Sequence, residues 1–400
     1  MVQPTSGAIR AANRANVVRV LRHVGAATRQ ELVRETRLSR ATVSSVLTEL
    51  RARGLVSELR EAAPNGTGRP AARVSLNKSA GIAFAVDIGV RHVAVAVGDL
   101  SRSVLAERWT TLPQGHTSVR GTKLVLASIE DAVAQAGVEP DQLVGAAISI
   151  AAPVAAGSGE LAVPGVLPGW NGSKLAECVA ARWSIPVVTE NDANLGALGE
   201  AVSRPATDGD VLYVKLASRI GLGIARGASI LRGRDGYAGE FGHVTARMNG
   251  DPCWCGRRGC LELYAGGDGM LRRLAGVPGV SSLADLVDRA PDSREVRRVV
   301  QDGALMLARA LADVAIVLNP ARIVLGGELT SLGELIAEPI RRELERLPFG
   351  SRVEFAVSPL GERASLVGAL ALVLTEPARF ADRSQLHPPL QSLSPEGSRR

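Results

Sequence analysis

Gly239–Glu262, GEFGHVTARMNGDPCWCGRRGCLE, holds most of the scarce chemistry of this chain. Three of the four cysteines, Cys253, Cys255 and Cys260, fall within it, together with His243, one of five histidines. Two thiols one residue apart, a third five residues further on and an upstream imidazole supply the four donors that tetrahedral zinc takes. With all four positions filled by protein groups, no position is left open for water, and such a metal is structural. The other reading is three free buried cysteines. Glu240 and Glu262 bracket the group, so whatever fixes the loop also aims two carboxylates. Cys178 stands alone in an apolar helical stretch and reads as core.

Outside this stretch the composition is that of a globular protein, with 46% apolar and 22% charged residues over 400 positions. That length allows two or three domains. No apolar run reaches the roughly 18–20 residues of a membrane span, and the N-terminus lacks the succession of a secretion signal. Clustered cysteines suit a metal in a reducing compartment rather than a disulfide framework, so a cytoplasmic location and no membrane partner are expected. The charge is unevenly spread. Residues 1–80 carry 14 Lys and Arg against 5 Asp and Glu, whereas the remaining 320 carry 33 against 35. A basic head on a near-neutral body points to a polyanionic partner for the head.

Within the head, Val17, Val20, Leu21 and Val24 share one helical face, which Gly25 ends. Thr28 and Glu31 form a capping-box pattern before a short helix carrying Leu32 and Val33. Ser39 caps a third helix whose inner face is Val43, Val46, Leu47 and Leu50, and Gly54 closes it. Helix, short helix, turn and helix form the helix-turn-helix order. The third helix turns Arg40, Thr42, Ser44, Ser45 and Arg51 outward, small hydroxyls and arginines fit for a major groove. Leu55–Leu59 and Ala72–Leu76 alternate as a hairpin. Its loop, Pro64–Pro70, makes a wing from which Arg69 reaches a minor groove. A winged helix-turn-helix DNA-binding domain is therefore expected over residues 10–78. The alternative is a small helical protein-interaction module with solvated arginines.

From Gly81 strands alternate with helices. Strands are predicted at Ile82–Val86, His92–Gly98, Leu105–Thr111, Leu143–Ile150, Pro186–Thr189, Val211–Leu216, Gly221–Ala225, Arg322–Leu325 and Val353–Val357. Helices are predicted at Ser118–Ala136, Lys174–Arg182, Ala193–Val202, Ala304–Leu318, Leu332–Leu347 and Ser365–Leu374. Two rounds of strand, hairpin and helix imply a mixed α/β core in two lobes with a cleft between them. The polar, proline-rich residues 377–400 read as a disordered tail.

Five motifs in this order carry a family resemblance: Asp87-Ile88-Gly89, Glu190-Asn191-Asp192-Ala193-Asn194, Gly239-Glu240-Phe241-Gly242-His243, Cys253-x-Cys255-Gly256-x-x-Gly259-Cys260-Leu261-Glu262 and Ile323-Val324-Leu325-Gly326-Gly327. Behind a winged helix, they resemble the repressor branch of the ROK family of repressors and sugar kinases, which includes xylose and glucose-regulon repressors. The resemblance implies a two-lobed, actin-like (ribonuclease-H-like) fold over 81–376. It also implies a sugar in the cleft, held by Asn191 and Asp192 on one side and by Glu240, His243 and Glu262 on the other. Convergent donors and acceptors are what a sugar requires, and a carboxylate accepts from two hydroxyls at once. Zinc on one nitrogen of His243 would leave the other for the sugar and fix the ring's angle. Asn191 and Asp192 also fit a plain role, capping the helix that follows. Trp170-Asn171-Gly172 resembles a family loop near the sugar.

Asp192 matches the general base of the family's kinases, but phosphoryl transfer rests on positioning and on charge stabilisation of the phosphates. The first phosphate turn of those kinases reads Asp-x-Gly-Gly-Thr-Lys, where this chain has Asp87-Ile88-Gly89-Val90-Arg91-His92. The second reads Gly-Thr-Gly-Ile-Gly, where it has Ala217-Ser218-Arg219-Ile220-Gly221. A β-branched valine and a long arginine replace glycines that let phosphate approach the backbone. The expectation is a sugar-responsive transcriptional regulator, acting as a repressor, that does not use ATP. It would bind operator DNA as a homodimer or homotetramer, with structural zinc and a small sugar effector. Two alternatives remain: a sugar kinase carrying a DNA-binding head, and a regulator signalled by a partner protein.

Overall fold

The computed structural model describes residues 6–59, 72–77, 81–113, 116–155, 159–161, 167, 170, 172–204, 209–348 and 353–375. In the head, α1 (Ser6–Val24) buries Val17, Val18, Val20 and Leu21. Val24, expected on that face, is half exposed, because the helix stops there and Gly25 at φ +73° turns the chain away. β1 (Ala26–Thr28) leads into α2 (Arg29–Thr36) through a complete capping box. The Thr28 hydroxyl accepts from the Glu31 N–H at 3.2 Å, and the Glu31 carboxylate accepts from the Thr28 N–H at 2.8 Å. The Ser39 hydroxyl accepts from the Thr42 N–H at 3.1 Å to open α3 (Arg40–Ala52), which buries Val43, Val46, Leu47 and Leu50. β2 (Val56–Leu59) and β3 (Arg73–Leu76) form the expected antiparallel hairpin. Its loop, including Arg69, lies outside the described residues, as do Asn171 and the 377–400 tail. β1 joins β3 as a third strand that the sequence did not signal, because Ala-Ala-Thr carries no alternation to read.

The body opens with β4 (Ile82–Ile88), β5 (His92–Gly98), β6 (Val104–Thr111), α4 (Ser118–Gln135), β7 (Leu143–Ile150), α5 (Gly172–Trp183) and β8 (Val187–Asn191). These strands lie in the order β6-β5-β4-β7-β8, with an antiparallel pair of joins on one side and parallel joins on the other. After α6 (Asp192–Ser203) come β9 (Asp210–Leu216), β10 (Ile220–Arg226) and β11 (Ser229–Ile230). Four helices follow, α7 (Glu262–Ala265), α8 (Gly267–Arg273), α9 (Leu283–Arg289) and α10 (Arg294–Leu318), then β12 (Arg322–Gly326), α11 (Glu334–Glu345), β13 (Glu354–Val357) and α12 (Ala364–Thr375). The second sheet has the order β11-β10-β9-β12-β13. Each sheet thus places its strands third, second, first, fourth, fifth, with the same directions. The expected duplication is real, and the body has the actin-like fold.

The closing helix of each half packs on the sheet of the other. α6 lies on β9 and β10, α12 lies on β4 and β7, and the two helices pack against one another. Their approach is close enough to demand glycine: a Cβ at Gly368 would stand 1.8 Å from the Leu195 carbonyl oxygen. At their N-termini the Ser365 hydroxyl donates to the Asp192 carbonyl at 3.0 Å. The C-terminal end of α12 receives the head. Arg22 of α1 donates through Nε to the Leu100 carbonyl at 2.7 Å and through Nη2 to the Leu374 carbonyl. The apolar core of the head continues through Leu100, Leu370, Val373 and Leu374 into the first sheet. Among the described residues no helix is long and apolar enough to cross a membrane.

Candidate functional site

The segment between β11 and α7 is an irregular hairpin, bridged at Thr245–Cys260 and Pro252–Arg258. Within it the Cys253 N–H donates to the Arg257 carbonyl and the Gly256 N–H to the Cys253 carbonyl, a tight turn that brings Cys253, Cys255 and Cys260 to one side. Their sulfurs and one ring nitrogen of His243 all lie within 4.8 Å of one another. Cys255 Sγ and Cys260 Sγ are 3.6 Å apart, as are Cys253 Sγ and His243 Nδ1. Zinc–sulfur bonds of about 2.3 Å give a tetrahedron with edges of about 3.8 Å, so this donor set fits zinc. None of the four cysteines is in a disulfide. Cys178, read as core, is exposed, because α5 turns Leu175 and Val179 inward instead.

The carboxylates meet beside this loop. Glu262 opens α7, is buried, and lies with Oε1 3.6 Å from His243 Nδ1. The same oxygen accepts from the Trp254 indole N–H at 2.7 Å. Glu240 begins the single 3-10 turn Phe241–His243. Burial, then the charges of Asp192 and Glu262, push its pKa up to about 7. Burial also lowers His243, helped by Arg219 and Arg257 and opposed by Glu262.

Asn191 caps α6, its Oδ1 accepting from the Ala193 and Asn194 N–H groups at 3.0 and 3.1 Å while Nδ2 donates to the Ala152 carbonyl at 3.1 Å. The plain capping role is therefore filled: both lone pairs of Oδ1 are used, and the second Nδ2 N–H is the bonding capacity left to a ligand. Glu190, beside it, accepts from the Asn194 side chain and from Arg232.

Four residues outside the expected set, Lys215, His92, Arg91 and Arg219, change the chemistry. Lys215 Nζ stands 2.7 Å from Asp192 Oδ2, at side-chain exposures of 19% and 9%. Burial lowers the Lys215 pKa, but Asp192 and then Asp87 outweigh it and the net shift is upward. A buried ammonium is thus held directly by Asp192 and stabilised further by the charge of Asp87. Burial raises Asp87, and Lys215, then His92 and Ser149, overcome it and hold its carboxyl below the usual range. His92 Nε2 is 3.1 Å from Asp87 Oδ2, and its ring covers Gly89. Arg91 reaches across the cleft to Glu328 at 3.4 Å, joining the first turn to the residue after Gly326-Gly327. In the second turn Arg219 lies over the Trp254 ring, 5.9 Å from its centroid. The surviving Gly327 has a packing reason: at φ +91° its Cβ would meet the Leu216 carbonyl at 2.5 Å. Lys215 left a signal in the sequence, a lone charge inside the apolar run Val211–Leu216, whereas the reach of Arg91 left none.

On the head, Arg40, Ser44 and Ser45 are exposed on α3. Thr42 is half-buried and its hydroxyl is 2.9 Å from Ser39 Oγ, while Arg51 folds back onto Glu58. The α3 surface is thus narrower than expected.

Residues 83–376 match the ROK family. The xylose repressor of Bacillus subtilis (strain 168) is 28% identical over 352 residues, covering 86% of this chain and 90% of its own. That span exceeds what 83–376 alone provide. A ROK family glucokinase from Streptomyces griseus, solved with glucose and AMPPNP, has a TM-score of 0.63 at 27% identity, covering 73% of this chain and 99% of its own. A ROK family transcriptional regulator, a homolog of the E. coli MLC protein, reaches a TM-score of 0.76 at 23% identity and covers 93% of this chain and 99% of its own. With its body matched from end to end, the chain belongs to the ROK family.

Proposed function

We propose that the protein is a sugar-responsive transcriptional repressor of carbohydrate uptake or catabolism genes, with a kinase-like body that senses sugar without phosphorylating it. The observation that carries this reading is a basic three-helix head docked on a two-lobed sugar-kinase fold, an arrangement that xylose repressors match over most of the chain. Residues 10–78 form a winged helix-turn-helix; Arg40, Thr42, Ser44 and Ser45 enter the major groove, and Arg69 of the wing the minor groove. A homodimer or homotetramer reads a near-palindromic operator in the cytoplasm.

Residues 81–376 are the sensor. Asp192, Glu240, His243 and Glu262 hold the sugar's hydroxyls, with Asn191 at their edge. Zinc held by His243, Cys253, Cys255 and Cys260 cross-links the loop and fixes the imidazole's angle. Lys215 supports the non-catalytic reading: it occupies the carboxylate that would have to accept the sugar's proton. The arginines and His92 fill the turns where phosphates would lie. The competing reading, an active hexose kinase, draws on the likeness to glucokinases.

DNA selected from a random pool by the full chain tests the head. Arg40→Ala should weaken binding to that DNA tenfold or more and flatten the log–log salt slope by about one; unchanged affinity and slope would remove α3 from the interface. ATP-coupled turnover over a hexose panel tests the body, and phosphorylated product would establish the kinase.

A further inference from the structure

We propose that the cavity beside the metal loop receives a second sugar ring, so that the effector is a disaccharide or longer glycoside; this rests on the sugar-sensor reading above. The cavity, about 560 Å³, lies between the Ser218-Arg219 turn, the metal loop and α8. It shares Glu262 with the carboxylate cluster, so a ligand seated there continues from the first ring. Its volume lies in the range of small-molecule pockets.

The lining decides the class of ligand. The lining mixes Asp251, Glu262 and Asp268 with Arg219, Arg272 and Arg273, of which Arg273 is paired with Asp302 at 2.8 Å. A phosphate would meet three carboxylates and a cation three guanidiniums, whereas a neutral polyol satisfies both sets with its hydroxyls. Among the described residues, the side chains of Asp251, Asp268 and Arg272 have no hydrogen-bond or ion-pair partner, so their bonding capacity is open to a ligand.

Trp254 supplies the apolar part. It is 50% exposed, yet its orientation is fixed: the indole N–H is held by Glu262, and the His243 ring meets it edge-on with centroids 4.8 Å apart. Arg219 lies over part of the ring, 5.9 Å from its centroid, and the half of the fixed indole left open to solvent offers an apolar surface to a pyranose. Because Glu262 accepts from that indole and also faces the first-ring cluster, one carboxylate sets the spacing of the two rings.

The test is isothermal titration of the zinc-loaded full chain with xylose and xylobiose, and with glucose, cellobiose and maltose. At least one disaccharide should bind tenfold or more tighter than its own monosaccharide. Trp254→Ala and Arg272→Ala should reduce that advantage to less than threefold. Arg272→Ala, which is not among the metal ligands, should leave monosaccharide affinity within twofold and zinc content at one per chain. Equal affinity for each monosaccharide and its disaccharides, or an advantage that survives both substitutions, overturns the second-ring site alone. Absence of binding by every sugar overturns the sensor reading and this site with it.

Discussion

Asp192 and Lys215 form the interaction on which the non-catalytic reading turns. A carboxylate held by a buried ammonium is a poor base, and removing one member of a buried pair costs about 3–5 kcal/mol because it strands the other charge. Asp192→Asn should therefore lower urea-derived stability by about 3 kcal/mol, and adding Lys215→Met should recover most of that loss. Additive losses would mean that the two groups are not coupled.

Glu240 gives a pH signature. Its folded pKa of about 7 lies above its ordinary value, so the folded state binds the extra proton between those limits. The contribution of this group to stability is then fullest below pH 4.5 and falls as pH rises through 7. From pH 5 to 8 the wild type should lose stability relative to Glu240→Gln, on the order of 1–3 kcal/mol. Parallel profiles would place Glu240 in water instead.

α12 packs too closely on α6 to accept a larger residue at Gly368. Gly368→Ala would drive a methyl into the Leu195 carbonyl, and overpacking of this kind costs about 1–3 kcal/mol. α12 touches Asp192 at one end and Arg22 at the other, so it physically links the proposed sugar site to the head. Arg22→Met should leave DNA affinity within about threefold while reducing the effect of sugar on it, measured by fluorescence anisotropy; an undiminished sugar effect would show that α12 carries no coupling.

Most elements were legible from periodicity. His92–Gly98 and Leu143–Ile150 match residue for residue, and the Thr28–Glu31 and Ser39 caps are in place. β1 and the short helices α7 to α9 escaped notice because three- to seven-residue elements hold too few apolar repeats to show a period. α10 begins ten residues before the expected Ala304, because its first turns are charged and only Val296, Val299 and Val300 mark the buried face.

For the whole molecule, the duplicated sheet order was foreseeable from two rounds of strand, hairpin and helix, and the metal cluster from spacing alone. The docking of the head was not, because it joins Arg22 and the head's apolar core to carbonyls and side chains distant in the chain, 78 and 352 residues away for the two Arg22 bonds. Nor was Arg91 with Glu328, 237 residues apart, since such pairs leave no local pattern. The metal loop should act at this scale too. Cys255→Ser should release zinc, measured by metal analysis, and abolish the sugar response while DNA binding persists; a full response without zinc would leave the cluster no part in sensing.

Sensing by a kinase fold without kinase chemistry requires that the sugar bind the DNA-competent and the DNA-free states with different affinity. The most direct measurement is fluorescence anisotropy of the full chain on its selected DNA, titrated with mono- and disaccharides in the presence and absence of ATP. At least one sugar should lower DNA affinity tenfold or more, equally with and without ATP, and no phosphorylated sugar should form. DNA affinity indifferent to every sugar, or a response that requires ATP and yields sugar phosphate, would contradict it.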